Sequence, residues 1–376
     1  MNTGQPPTER ALLAKLHDIL TDLAWSFDLQ AEPRGIVADD QFDATVRLHA
    51  KHGKNVVLAV ECKRDLRPVT FQPWAQRMSN FAMKRRATPV LGMPSVSPRM
   101  AELCRAQGMG WFDLAGNCRI DVPGLLHIER TGSPPIHRQP REGASLGTAA
   151  AARVLRVLLS PGNAGKSWKQ RDLRAHTIWR IERDAPVSIG LVNKLIRHLV
   201  DQGFIEASRG EGIRVRDPAG LLTAWRTAYR FDRHERRSYF TLLKGPALGA
   251  KLYKVAMGAA DAAVYAVFSA AERQAPHVRQ PKTWIYVRPP YLDAVIRETS
   301  AKEVDSGENL VVLVPEDSGV FLSFDADTFV GEASIGCTDP VQTYVDLMQF
   351  ESRGEEAANA LLQQKILRSW KAAGIG

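Results

Sequence analysis

The stretch "NVVLAVECKRD", residues 55–65, is the point from which the rest of the chain can be ordered. Five apolar residues in a row, with β-branched Val among them, read as a buried strand. Glu61 and Lys63 follow two apart, and in a strand residues i and i+2 share a face. A carboxylate and an ammonium therefore leave together from the end of a buried element. Two readings are open: an ion pair that blunts a strand edge, or half of a metal-dependent active site.

The flanking sequence supplies a sheet. "QFDATVRLHA" (41–50) is a second strand, and "KHGKN" between the two is a short Gly-containing connection suited to a hairpin. Upstream, residues 8–29 open with "TERALLAKLHDILTDLAWSF", apolar at 12, 13, 16, 19, 20 and 23. That is helical spacing, with Thr8 as N-cap. Downstream a helix is expected from Pro73 through "PWAQRMSNFAMKRR". After it come a strand in "TPVLGMPS", a helix in "SPRMAELCRAQG", and strands in "GWFDLAGNCRIDV" and "LLHIER". Trp111 and Phe112 read as core and Asp113 as a turn residue. The order predicts an α/β domain with a mixed sheet over residues 1–130. "TGSPPIHRQPREGASLG" (131–147) reads as a linker.

A chain of 376 residues exceeds one ordinary core and fits about two or three domains. With 44% hydrophobic and 24% charged residues it is globular rather than disordered. No apolar run approaches the roughly 18 residues of a membrane span, so no membrane association is expected. "MNTGQPPTER" lacks the apolar core of a secretion signal. Cys62, Cys104, Cys118 and Cys337 are scattered without metal-ligand spacing, which favours a reducing, cytoplasmic setting.

The formal charge of +9 favours a polyanionic partner if it is concentrated. Residues 141–216 hold 14 Lys+Arg against 7 Asp+Glu, a net +7, so it is. The segment 148–216 reads as three helices, in "TAAAARVLRVLLS", "SWKQRDLRAH" and "SIGLVNKLIRHLVDQG", followed by two short strands around a Gly turn. That is the order of a winged helix-turn-helix. Its third helix has Ser188 as N-cap and Gly203 past its end. Positions 189, 192, 195, 196, 199 and 200 form its core stripe. Gly190, Lys194, Arg197 and Asp201 lie opposite, with Asn193 and His198 flanking. In a major groove, Lys194, Arg197 and Asn193, with Ser188 at the helix start, would reach bases or phosphates of double-stranded DNA, and Arg209, Arg214 and Arg216 in the wing would meet phosphates. "GNAGKS" (162–167) looks like a phosphate-binding loop, but two residues rather than four separate Gly162 from Gly165, and it sits between helices. Residues 217–376 read as a C-terminal α/β domain, with strands in "KTWIYVRPP", "NLVVLVPED" and "GVFLSFD" and helices near 290–300 and 340–370.

In the first domain the hairpin sets Asp43 beside Glu61. Two hard carboxylates and the Cys62 carbonyl suit Mg²⁺, which keeps waters in its other positions. Lys63 would orient the attacking water, and Gln72 and Gln76, one helical turn apart, can reach the same place. Asp43, then Glu61-Cys62-Lys63, then Gln72 resembles the PD-(D/E)XK nuclease family over roughly residues 8–130. The resemblance implies Asp43 and Glu61 as metal ligands and Lys63 as the catalytic lysine. Phe42 stands where that family often has Pro, and Glu9 or Asp18 would be the acidic residue of its first helix.

A second resemblance lies in "DPVQTYVDLMQFESRGEEAANAL" (339–361), through Gln342, Tyr344, Asp346, Leu347, Arg353, Gly354, Glu355, Glu356 and Ala357. It is similar to the C-terminal segment of AbiEi-type antitoxins of type IV toxin–antitoxin systems. The resemblance implies a winged-helix DNA-binding regulator that represses its own operon, with a toxin encoded nearby. This chain differs in carrying the winged helix internally, behind a nuclease-like domain. Three functions follow as expectations. The first is a DNA-binding regulator of this kind; the second is a Mg²⁺-dependent endonuclease targeted by its winged helix, with Mg²⁺ needed only in that case. The third is a protein-interaction module that neutralises a partner toxin. A homodimer would suit a palindromic DNA site.

Overall fold

A computed structural model describes residues 9–22, 26–31 (backbone alone), 42–49, 55–134, 144–177, 187–208, 210–259, 261–322 and 335–375. Thr8, the hairpin connection at 51–54, most of the expected linker and Arg209 lie outside the described residues. The protein is mixed α/β with several sheets, and its chain divides into two compact units. One is built from residues 1–142 with 201–203, the other from 143–200 with 204–376.

The first unit runs α1 (Glu9–Thr21), β1 (Ser26–Ala31), β2 (Ala44–His49), β3 (Asn55–Cys62), α2 (Pro68–Lys84), β4 (Thr88–Met93), α3 (Pro98–Ala106), β5 (Gly110–Asp113), β6 (Cys118–Val122) and β7 (Leu126–Arg130). The strands form one sheet in sequence order. β3, β4 and β5 are parallel at its centre, and antiparallel strands continue it on both sides. Parallel neighbours need a crossover, which α2 and α3 provide.

Side chains of β3 divide between two cores because alternate residues face opposite ways. Val56, Leu58 and Val60 pack with Leu12, Leu16 and Leu20 of α1. Ala59 packs with Phe71, Trp74 and Met78 of α2 and Met100 and Cys104 of α3. Each fully buried Leu or Phe contributes roughly 2 kcal/mol by leaving water.

Two expectations are corrected here. The helix expected from Pro73 starts at Pro68, with Pro73 inside it. Either proline can occupy a first turn, and Pro73, in the second turn here, withholds the N–H that the Val69 carbonyl would accept and crowds that carbonyl. The opening helix stops at Thr21, and the end of the stretch assigned to it, residues 26–29, falls in β1, in antiparallel register from Ser26↔His49 to Ala31↔Ala44.

The second unit begins with α4 (Ala149–Leu159), α5 (Gln170–Ala175), α6 (Ile189–Asp201) and the hairpin β8 (Ile205–Ser208) and β9 (Gly212–Val215). It continues with α7 (Pro218–Ala228), β10 (Glu235–Phe240), α8 (Gly245–Ala256), β11 (Ala263–Tyr265), α9 (Val267–Gln274), β12 (Thr283–Val287), α10 (Leu292–Thr299), β13 (Lys302–Glu303) and β14 (Leu310–Val314). α11 (Pro340–Leu347), α12 (Arg353–Leu361), a π-helical turn (Leu362–Ile366) and α13 (Leu367–Ala372) close it. Its five-stranded sheet has the order β11-β12-β14-β10-β13. Two cores serve this unit. Leu155, Leu173, Leu195 and Ile213 belong to the same cluster as Trp225, Tyr286, Val345 and Trp370, and Leu248, Leu252, Ile285, Val295 and Leu310 form the other.

"GVFLSFD" was expected as a strand, but Ser318–Phe321 is a 3-10 turn and residues 323–325 lie outside the described ones. The cause is local. The Asp317 carboxylate accepts the Gly319 amide at 2.8 Å, which bends the chain, and Arg153 holds that carboxylate from α4. A Cβ at Gly319 would meet Arg153 and Arg156 within 3 Å.

Candidate functional site

At the end of β3 the backbone and side chains of Asp43, Glu61 and Lys63 come together. The antiparallel ladder closes with Ala44↔Val60, and the Asp43 amide donates to Val60 at 2.9 Å. The next β3 amide on that side, Cys62, would have no strand partner. The Asp43 carboxylate accepts it at 2.7 Å, a charge-assisted bond that also fixes the carboxylate beside Glu61.

The Lys63 ammonium lies 2.5 Å from Oε1 of Glu61. Oε2 of Glu61 is buried and has no hydrogen-bond partner among the described residues. Burial pushes the Glu61 carboxyl above its ordinary range, the Lys63 hydrogen bond opposes this, and the charges of Asp43 and Glu9 raise it further. Glu9, in the first turn of α1, is thus electrostatically part of the site. Of the two acidic candidates on the first helix, it is the one whose charge bears on Glu61.

A buried carboxylate with one orphaned oxygen is costly by itself. Its chemistry fits a hard divalent cation, with Asp43 and Glu61 as the residues to hold it and waters completing the shell. Among the described residues no three His, Cys, Asp or Glu side chains gather tightly enough to enclose an ion. The Cys62 side chain points to the opposite core, with Sγ 3.2 Å from where a Cβ on Gly92 would lie, and burial drives its thiol pKa far up. Gln72 and Gln76 are not drawn to the cluster. Both lie on the exposed face of α2, where Gln72 accepts from Gln107 at 3.5 Å and Gln76 donates to Asn80 at 3.2 Å. Trp111 and Phe112 are core, and the Asp113 carboxylate takes both the backbone and side-chain N–H of Asn117, each at 3.0 Å.

In the second unit, Ser188 caps α6: its Oγ accepts the Leu191 amide at 3.3 Å. Val192, Leu195, Ile196 and Leu199 are buried, while Asn193, Lys194 and Arg197 are exposed together on the other face. Asn193 Oδ1 accepts from Gln170 of α5 at 2.5 Å, and Arg197 Nε donates to the Asn193 carbonyl at 3.4 Å. Ile189, expected in the core stripe, is 58% exposed. It occupies the first helical position, ahead of the turn that packs.

In the hairpin, Arg214 and Arg216 are exposed, and Arg216 pairs with Glu206 across the strands at 2.8 Å. Trp168 and Ile213 exchange two backbone hydrogen bonds, adding a short third strand at the entry to α5. The "GNAGKS" segment is a 3-10 turn, Pro161–Asn163, and the loop after it, where Lys166 donates to Asn163 at 2.7 Å.

In the segment 339–361, Asp339, Gln342 and Asp346 are buried and hydrogen-bonded in a way that spacing alone did not reveal, while Arg353, Glu355 and Glu356 are exposed. Arg156 of α4 donates to Gln342 Oε1 at 2.5 Å. Gln342 Nε2 donates to the Tyr229 hydroxyl at 2.9 Å and to Asp346 Oδ1 at 2.8 Å. The Tyr229 and Tyr286 hydroxyls donate to Asp346 at 2.6 and 3.2 Å. The Glu316 amide donates to His234 Nδ1 at 3.3 Å, so the neutral ring's Nε2–H faces Tyr229 at 2.8 Å. Ser160 donates to Asp339 at 2.6 Å.

Burial pushes Asp346 up to about 7 against the pull of these hydrogen bonds and of Arg156. Burial, with the charge of Arg156, pushes His234 down to about 4. Gly354 is required by contact, since a Cβ there would lie 2.4 Å from the Leu347 carbonyl oxygen.

No curated protein and no solved structure matches the chain. Among the described residues no helix is long and apolar enough to cross a membrane. A family model does match, over less than half of the chain, starting in β9 and leaving α4, α5 and α6 outside. Residues 214–367 are similar to the family described as "Transcriptional regulator, AbiEi antitoxin, Type IV TA system".

Proposed function

We propose that this chain is a DNA-binding transcriptional regulator of the antitoxin type, which represses its own operon and counters a toxin encoded nearby. In this reading α4, α5, α6 and the β8–β9 hairpin are a winged helix-turn-helix, with α6 entering the major groove and Arg214 and Arg216 of the hairpin on the phosphates. The observation that carries it is the exposed Asn193, Lys194 and Arg197 face of α6, backed by a fully apolar opposite face. The matched family's description supports the regulatory role.

The test is fluorescence anisotropy of the full chain on duplex DNA from upstream of its own coding sequence. The Lys194→Glu, Arg197→Glu variant should lose at least tenfold in affinity. The slope of log affinity against log salt should fall by about 2, one per lost phosphate contact. Unchanged affinity and slope would remove the reading.

A second reading is favoured by one observation, the buried Oε2 of Glu61, unpartnered among the described residues, beside Lys63 and Asp43. There the first unit is a PD-(D/E)XK-like nuclease using Mg²⁺, which would stabilise charge on the phosphate when bound. Lys63 would orient the water, and Asp43 and Glu61 would hold the ion. Supercoiled plasmid incubated with Mg²⁺ or Mn²⁺, with an EDTA control, distinguishes the two readings. Nicking lost in Glu61→Ala, Lys63→Ala makes this an enzyme; no nicking alongside intact DNA binding leaves a regulator.

A further inference from the structure

The first turn of α6 departs from what internal packing asks of it, in two ways. Ile189 is 58% exposed, although burying an Ile is favourable and α6 has an apolar face to receive it. Gly190 follows, and a Cβ built there would meet nothing within 4 Å. Among the described residues no close approach explains this glycine, and glycine in a helix is less stable than alanine. Ile189 lies one and two helical turns before Asn193 and Arg197, and Gly190 one turn before Lys194, so both belong to the exposed basic face.

We infer that this turn reads base edges, with Ile189 seated on the 5-methyl group of a thymine and Gly190 left bare so that the DNA can approach the helix backbone. The inference rests on the DNA-binding reading given above. The major groove presents one apolar group, the thymine methyl, and the amino-terminal residues of a recognition helix are the ones that reach base edges. The adjoining Lys194 and Arg197 and the net +7 of residues 141–216 match a polyanion rather than an apolar protein partner.

The experiment selects duplexes from a random-sequence library with the full chain, then compares thymine with deoxyuridine at each enriched position. Removing the methyl at one position should weaken wild-type binding about fourfold, the worth of one buried methyl group. Ile189→Ala should bind thymine and deoxyuridine duplexes equally there, with its other base preferences retained. Gly190→Ala should raise the thermal midpoint and yet weaken binding to the selected duplex at least tenfold. Enrichment with the same thymine preference in Ile189→Ala, or undiminished affinity in Gly190→Ala, overturns this inference and leaves the DNA-binding reading standing. If no sequence is enriched and the Lys194→Glu, Arg197→Glu variant behaves as wild type, both fall.

Discussion

Asp346→Asn should change how stability depends on pH. The folded pKa of Asp346 is raised from 3.8 to about 7, first by burial. Between those values the folded chain keeps a proton that the unfolded chain has released, so rising pH removes stability across that window. His234 acts with the opposite sign. Its folded pKa is lowered from 6.5 to about 4, so the unfolded chain binds the extra proton and rising pH adds stability between those limits. In wild type the two slopes oppose each other from about pH 4 to 6.5. His234 feels Arg156, Asp317 and Asp232 rather than Asp346, so Asp346→Asn deletes one slope and leaves the other. The variant's stability relative to wild type should then climb by about 1.4 kcal/mol per pH unit, or about 2 kcal/mol from pH 5 to 6.5. Urea unfolding of both full chains at several pH values, followed by tryptophan fluorescence, measures it. The transition displaced by the substitution belongs to the unit carrying Asp346. A difference that stays constant over this range would refute the reasoning.

Gly354→Ala should lower stability by about 1–3 kcal/mol, because its Cβ must push against the Leu347 carbonyl at 2.4 Å, and calorimetry of the same unit reads this. Ser97→Ala removes the acceptor of the Met100 amide at the start of α3 and should cost about 1 kcal/mol in chemical unfolding. Cys104 is fully buried and its thiol is pushed up to about 12. A disulfide-exchange reagent should leave it untouched in native protein and titrate it only in denaturant; rapid native labelling would contradict its placement.

The centre of the first unit was legible because a continuous apolar run, a two-residue period and a short connection fix register at once. From that register alone Asp43 falls opposite Glu61, and the structure puts them there. The errors have separate causes. Two prolines five residues apart both suit a first helical turn, and β1 follows α1 too closely for its brief alternation to stand out. Gln72 and Gln76 have the right spacing for a common target, but the stripe of Phe71, Trp74, Ala75 and Met78 turns them to solvent. Ile189 satisfied helical periodicity, which counts positions and cannot tell which end of a helix is covered. The network around Asp346 was beyond reach for a different reason: its partners come from α4, the residue after α7, β12 and the turn before β10, and nothing local in the sequence links them.

The bond between Arg156 and Gln342 spans 186 positions, and that between the Trp370 indole and the Leu159 carbonyl spans 211. A ribosome adding about 5–20 residues per second takes on the order of ten to forty seconds to travel from one end of the first bond to the other. Through that interval the Arg156 guanidinium, buried in the finished fold, lacks the Gln342 acceptor, while Leu155 of α4 already has Leu173, Leu195 and Trp225 to share its core. Helix α6 emerges with part of its shared core at hand and the part supplied by α11, α12 and α13 still to come. A product arrested before α11 would carry α6 without Val341, Val345 and Trp370, which complete the core that Val192, Leu195 and Leu199 share.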